Sequence, residues 1–461
     1  MRKQHIVLGV APTKRSFLSM EEAKRQKDKF MGVIRQIHPD VVEIVDIDDL
    51  CENGILYDTE KIPQVVEKFK KAGIDALFTP HCDFGEEQYA AGVAAALKVP
   101  TLMWGARDER PNTDESRGRD TQCGMFACTK VMKRFGVQYS YIWNCETESE
   151  DFKRGFDRFI RVVAVVKTVK NLRIAKFGAR PVPFMSVMAN EGDLATKFGI
   201  TVVPVSPTAI AARMDELIQG KDERLAEYLA DVKGRMDTSS MEEDKVTRAA
   251  AAKLAVQDLM EKNHCTAGAM ECWSAVPILG VPICMTLGEM ADEGLPISCE
   301  TDINGAVTLA MLQAVTLGKE SSFLADLTIR HPQNDNAELL WHCGPFPYSL
   351  KDSGCQARLV GGQERFELKK GDITVCRFDD CDGKYYLFGG EGRAVDGPQT
   401  NGTYVWFETD NWKRWEEKLM FGPYIHHVGG IYGNYKPVLR EAARYLGLIF
   451  DDADEQGVYS L

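Results

Sequence analysis

The chain has 461 residues, too long for one compact core, so two or three domains are expected. Its 44% hydrophobic and 27% charged residues suit a globular protein. A net charge of -12 argues against a nucleic-acid backbone as partner, because that needs a basic face. No run reaches about 18 apolar residues, so no membrane partner is expected.

The N-terminal apolar stretch, IVLGVA, is one short strand with no small-residue cleavage site after it, so the cytoplasm is the expected compartment. The helix MEEAKRQKDKFMGVIRQI follows, opened by Ser19 as N-cap with Glu22 three residues on. Then come the strand VVEIVDI, a helix closed by Gly73, the strand DALFTPH, the helix YAAGVAAALK and the strand VPTLMWG. This rhythm predicts a parallel sheet covered on both faces, with ligands at the carboxyl ends of its strands. His81 and Trp104 to Arg107 lie at such ends. Neither GxGxxG nor GxxxxGK[ST] is present.

A long helix, 151–168, leads to a second α/β unit with strands LRIAKFG and ITVVPVS and charge-rich helices over 207–262. AVPILGVPICMTL reads as two strand-like fragments, DINGAVTLAMLQAVTLG as a buried helix and SFLADLTI as a strand. From about 345, short β segments separated by Gly and Asp turns predict a small β-barrel-like domain with a terminal helix, KPVLREAARYLG. The expected fold is therefore α/β: two doubly wound parallel-sheet domains, 1–168 and 169–344, followed by a C-terminal β domain, 345–461. Thirteen cysteines at irregular spacing, without CxxC, read as free thiols in a reducing compartment.

Carboxylates and imidazoles at the edges of apolar runs carry the chemistry. Glu300 follows LPISC, and Asp326 lies 26 residues on within an apolar segment. That gap suits a strand-helix-strand crossover, which would place both at neighbouring ends of a parallel sheet. His342 lies in LLWHCGPF, and His426 and His427 are adjacent. Neighbours in a strand point to opposite faces, so at most one of that pair reaches a shared cation; which one stays open. Oxygen donors with an imidazole favour Mn2+ or Mg2+ over a thiolate zinc site.

This set resembles the L-fucose/L-arabinose isomerase family, in its bacterial fucose isomerase-like branch, over almost the whole chain. CETDINGAVTLAMLQAVTLG followed by FLADL is similar to the family's Glu, Asn-Gly helix and Ala-Asp strand. PTKRSF, FTPHCDFGEE, WGARDER, RGRDTQCGMFA and FGARPVPFMSVMANEG also look like family segments.

The resemblance implies an aldose-ketose isomerase working through a metal-stabilised enediolate, with Glu300 and Asp326 as acid/base pair and Mn2+ ligands. His427 or His426 completes the ligand set, Mg2+ or Co2+ are substitutes for Mn2+, and His342 assists ring opening. It also implies homo-oligomers, hexamers or trimers, with each site completed by a neighbour. Candidate sugar contacts are His81, Trp104, Arg107, Arg117, Gln122, Arg180 and Trp341. Arg107, Arg117, Arg119 and Arg180 crowding one edge would favour an anionic sulfo-sugar, whereas Trp104, Trp143 and Trp341 would suit a neutral hexose, pentose or deoxy-sugar. A sugar-binding or regulatory protein with a periplasmic-binding-like core, or a metal-dependent epimerase, are the alternatives.

Overall fold

A computed structural model describes residues 4–109 and 118–457, and the chain divides into two compact units, Lys3–Lys167 and Thr168–Leu461. In the first, strands Ile6–Val10, Val42–Val45, Ala76–His81, Thr101–Gly105 and Tyr139–Tyr141 form one parallel sheet, with Ile6–Val10 between Val42–Val45 and Ala76–His81. Ser19 caps the helix Met20–Ile34, its hydroxyl accepting the Glu22 N–H at 3.2 Å. Gly73, at φ 63°, closes Ile62–Ala72 in the left-handed conformation that glycine tolerates best.

Trp104 is 1% exposed, and its ring lies 4.5 Å from Phe152 and 6.1 Å from Phe30. It is a core residue and not a sugar platform, because its strand is covered on both faces.

The second unit holds a four-stranded parallel sheet in the order Thr201–Val205, Arg173–Phe177, Ala267–Met270, Ile297–Cys299. Beside it in sequence is a nine-stranded mixed sheet: Arg358–Val360, Gln363–Glu367, Thr403–Glu408, Asn334–His342, Phe323–His331, His427–Tyr432, Asp372–Cys381, Lys384–Val395, Ile449–Asp452. Lys384–Val395 also pairs with Thr403–Glu408. All thirteen residues of the helix Ile303–Val315 are buried, and it packs against strands of both sheets. A helix apolar on every face needs such two-sided cover.

Three expectations change. AVPILGVPICMTL forms the helices Val276–Leu279 and Cys284–Asp292, because Pro277 fits a first helical turn and Gly280, at φ 77°, breaks between them. Asp326 is on an antiparallel strand of the mixed sheet, not on a parallel neighbour of Ile297–Cys299. Strands Phe323–His331 and Asn334–His342 therefore belong with the C-terminal strands, and the sheet ignores a division at 344.

Among the described residues no single helix is long and apolar enough to cross a membrane, and all thirteen cysteines are free.

Candidate functional site

Glu300 sits where Ile297–Cys299 ends. It and Thr301 take φ values of 58° and 57°, left-handed backbone that costs a non-glycine residue about 1 kcal/mol or more. The strained turn separates Glu300 from Asp302. Asp302 caps the buried helix, accepting the Gly305 N–H at 2.8 Å, and is fully buried. Its carboxylate also accepts hydrogen bonds from Arg377 Nη1 at 2.5 Å and Nη2 at 3.1 Å, and from His427 Nδ1 at 2.9 Å. Arg377 is itself fully buried and reaches Asp379 Oδ2 at 2.9 Å. Asn304 donates to Asp379 and Asp380, each at 3.0 Å.

His427 starts its strand and is directly paired with Asp326 across the antiparallel ladder. With Nδ1 given to Asp302, its Nε2 lies 3.1 Å from Glu300 Oε2 and 3.4 Å from Asp326 Oδ1. His426 is also close: its side chain is 45% exposed, its ring centre lies 4.5 Å from that of His427, and Nε2 stands 3.9 Å from the same Asp326 Oδ1. His342 is buried, with one ring nitrogen within 4.8 Å of ligand atoms of Asp326 and His427. Its Nδ1 accepts the Cys343 N–H at 2.9 Å, which in the neutral ring leaves the proton on Nε2, an atom with no other partner. His342 Nδ1 also lies 3.3 Å from Cys343 Sγ, so the ring's Nε2 faces Asp326 and His427 either as a donor or as a ligand.

Electrostatics follow the contacts. Burial opposes ionisation of Glu300, but the hydrogen bond and charge of His427 hold its carboxyl below the usual value. Burial likewise opposes ionisation of Asp302, and Arg377 with His427 outweigh it, pulling it far down. Burial disfavours a charged His427, yet Asp302 and Glu300 lift it to about 9. In His342, burial is outweighed by Cys343 and Asp326, and the ring rises above its ordinary value.

The Nε2 of a ring whose Nδ1 proton is fixed on Asp302, facing two carboxylate oxygens, demands a positive charge between them. His427 Nε2 and Asp326 Oδ1 are buried and neither has a well-aligned hydrogen-bond partner, although Nε2 comes within 3.1 Å of Glu300 Oε2. A proton on Nε2 or a divalent cation answers that demand, and the donor set fits a hard ion. Cation binding must then expel the proton. Because His427 stays charged up to about 9, apparent cation affinity is expected to rise with pH, by about tenfold per pH unit, and to level off above that value. Calorimetric Mn2+ titrations in buffers of different protonation enthalpy check this; a flat profile without proton release would refute it.

Gly305 has a second use here: a Cβ there would lie 2.6 Å from Asp302 Oδ2. Gly305→Ala is expected to push that carboxylate off Arg377 and His427, costing about 1–3 kcal/mol and weakening Mn2+ binding. Thermal unfolding and metal titration of the variant are the measurements.

The open side is aromatic. Phe184 stacks on His427 at 6.3 Å, lies 6.2 Å from His426 and meets the half-exposed Trp273 at 6.4 Å. Its segment is tied at the other end, where Ala179 O accepts from Thr301 Oγ1 at 3.1 Å. Arg180 lies between these anchors, half-buried. Trp341 stacks on His342 at 6.4 Å and donates to Asn401 O at 2.6 Å.

The remaining candidates belong to the first unit. His81 is buried with Nδ1 on Phe84 O at 2.9 Å, and burial lowers it to about 4. Arg107, Gln122 and Trp143 are exposed, whereas Arg119 is already committed to Glu22 at 3.0 Å. That pairing corrects the picture of four arginines free for an anion. Arg117 lies outside the described residues.

Asp302 and Arg377 were missed in the sequence. Asp302 carried a signal, an N-cap type three residues before Gly305; Arg377, between Cys376 and Phe378 in a strand, carried the weaker one of a charge inside an apolar run.

Fold and site together define an α/β protein with a carboxylate-imidazole centre. Residues 9–170 match the model of the fucose/sulfoquinovose isomerase N-terminal domain, and residues 360–453 match that of the L-fucose isomerase C-terminal domain, together more than half the chain. The chain belongs to the fucose isomerase family of sugar isomerases.

It is similar to the sulfoquinovose isomerase of Priestia megaterium, 23% identical over 409 residues, covering 87% of this chain and 90% of that protein. The sulfoquinovose isomerase of Alkalicoccus urumqiensis is 26% identical over 340 residues, covering 72% and 75%. Among solved structures, a Bacillus halodurans transporter solute-binding protein with bound myo-inositol aligns at a TM-score of 0.18 with 14% identity, over 68% of this chain and 90% of that one.

Proposed function

We propose that the chain interconverts an aldose and its ketose, with a sulfonated hexose such as sulfoquinovose as substrate. The observation that carries this reading is the convergence of His427 Nε2, Glu300 Oε2 and Asp326 Oδ1 within 3.1–3.4 Å of the imidazole nitrogen. Glu300, Asp326 and His427 would hold Mn2+, with Co2+ or Mg2+ as substitutes. When bound, the cation supplies charge stabilisation to the sugar oxygens at C1 and C2.

The chain's residues do the rest. One carboxylate of the Glu300–Asp326 pair takes the proton from C2, leaving an enediolate, and the proton returns at C1 while the O2 hydroxyl proton moves to O1. His342 Nε2–H, buried beside the pair, suits donation to a ring or carbonyl oxygen. His427 is held by Asp302 in the tautomer that keeps Nε2 free. Phe184 and Trp273 exclude water and face the sugar's apolar side. The names of the relatives support a sulfonated substrate, and Arg180, whose Nη1 donates to Pro181 O and Val182 O, would offer its remaining guanidinium N–H groups to the sulfonate.

The test is ketose formation from sulfoquinovose, L-fucose and L-arabinose by Mn2+-loaded protein. Ketose is expected from the sulfonated sugar, with Arg180→Ala raising its KM. If no sugar yields ketose with Mn2+, Co2+ or Mg2+, the reading fails.

A further inference from the structure

The geometry points to a second cation site, formed by Cys272, Cys299 and Glu300, that takes thiophilic divalent ions of the zinc and cadmium class and competes with the hard-cation centre for Glu300. Strand pairing builds it. Met270 and Cys299 are register partners on the parallel strands Ala267–Met270 and Ile297–Cys299, so Cys272, two residues past one strand end, comes beside Cys299 at the other. The Thr301 N–H donates to Met270 O at 3.1 Å, holding the Glu300 turn against the same strand end. The two thiols and a Glu300 carboxylate oxygen all lie within 4.8 Å of one another. Cys272 is 8% exposed and Cys299 1%, so the sulfurs face inward.

Two thiolates and one carboxylate supply three of the four donors of a tetrahedral site, with metal–sulfur bonds of about 2.3 Å. Ligand atoms up to 4.8 Å apart need only small side-chain rotations to close on it. Softness separates the two sites. The cluster of Asp326 and His427 offers oxygen and nitrogen and suits Mn2+, whereas sulfur draws Zn2+ and Cd2+. Glu300 stands at the junction, and a rotation that closes its carboxylate on the thiols draws Oε2 from its 3.1 Å contact with His427 Nε2. Binding of a soft ion releases both thiol protons to solvent and turns Glu300 away from His427.

The inhibition half of this inference rests on the proposed isomerase reading; the binding half does not. The experiment therefore has two readouts. Metal-stripped protein is titrated with Cd2+ alone and followed by the ultraviolet thiolate-to-cadmium charge-transfer band. A saturating band at one equivalent is expected, lost in Cys272→Ser and in Cys299→Ser.

A separate thiol pair, Cys284 and Cys343, has its sulfurs 3.5 Å apart and supplies the control. Cys284→Ser should keep the band, and a band that survives in Cys272→Ser but disappears in Cys284→Ser overturns the assignment. Cadmium binding without any band also overturns it.

In Mn2+-loaded protein, Cd2+ is expected to abolish isomerase activity, and Cys272→Ser to raise the half-inhibitory Cd2+ concentration by about tenfold or more. Equal inhibition of wild type and Cys272→Ser overturns the competition for Glu300. A cysteine-dependent band in a protein that isomerises no sugar supports this site and strikes the isomerase reading alone.

Discussion

Glu300→Gln is expected to lower kcat by about 10³-fold or more, with the fold intact. Glutamine keeps the side chain's volume in a turn already held at φ 58°, so packing changes little. Two things vanish. One member of the proposed proton-transfer pair is gone, a loss that by itself accounts for about 10²–10⁴-fold. The proposed cation site also loses an anionic ligand, and His427 loses one of the two carboxylates that lift it to about 9.

The measurements are turnover at saturating Mn2+, deuterium exchange at the sugar carbon and thermal unfolding. A kcat within about tenfold of wild type would remove Glu300 from the proton-transfer role. Lost turnover with retained exchange would hand the C2 proton to Asp326.

Asp302→Ala is expected to have the largest effect on stability. Arg377 and Asp302 are both fully buried and directly paired. Removing the aspartate leaves a buried guanidinium with Asp379 as its remaining carboxylate among the described residues, and frees His427 Nδ1 from its acceptor. Breaking a buried pair from one side costs about 3–5 kcal/mol, because the surviving charge keeps its desolvation penalty. Denaturant unfolding of the full chain measures the loss.

The double variant Asp302→Leu/Arg377→Met is expected to recover much of that stability, since replacing both charges with apolar groups is often neutral or better. It should still bind Mn2+ weakly, because His427 has no carboxylate to orient it. An Asp302→Ala protein as stable as wild type would mean that Arg377 is solvated and that the ion pair is not what holds this corner together.

Much of this molecule was legible in one dimension. The βαβ rhythm of the first 105 residues, Ser19 and Gly73 as caps, and the buried helix after Glu300 follow from local rules: the 3.6- and 2-residue periods, hydroxyl capping and glycine's access to positive φ. Glu300, Asp326 and His427 drew notice because a charge or imidazole inside an apolar run must be accounted for locally. Trp104 misled because an aromatic at a strand end looks the same whether it faces a cleft or a cluster of Phe30 and Phe152. AVPILGVPICMTL misled because short apolar runs do not distinguish strand from helix.

Chain-local chemistry thus determined which residue types could hold a hard cation, and roughly where along the chain. Long-range pairing decided which of them meet. Asp326 faces His427 because two antiparallel strands about a hundred residues apart fell into one register; His426, just before that strand, brings its Nε2 to 3.9 Å from the same carboxylate, and of the two histidines His427 is the fully buried one. Asp302 reaches both Arg377 and His427 because a helix buried on every face had to settle between two sheets. Register and burial are energies of contact between distant segments, and no periodicity within either segment contains them.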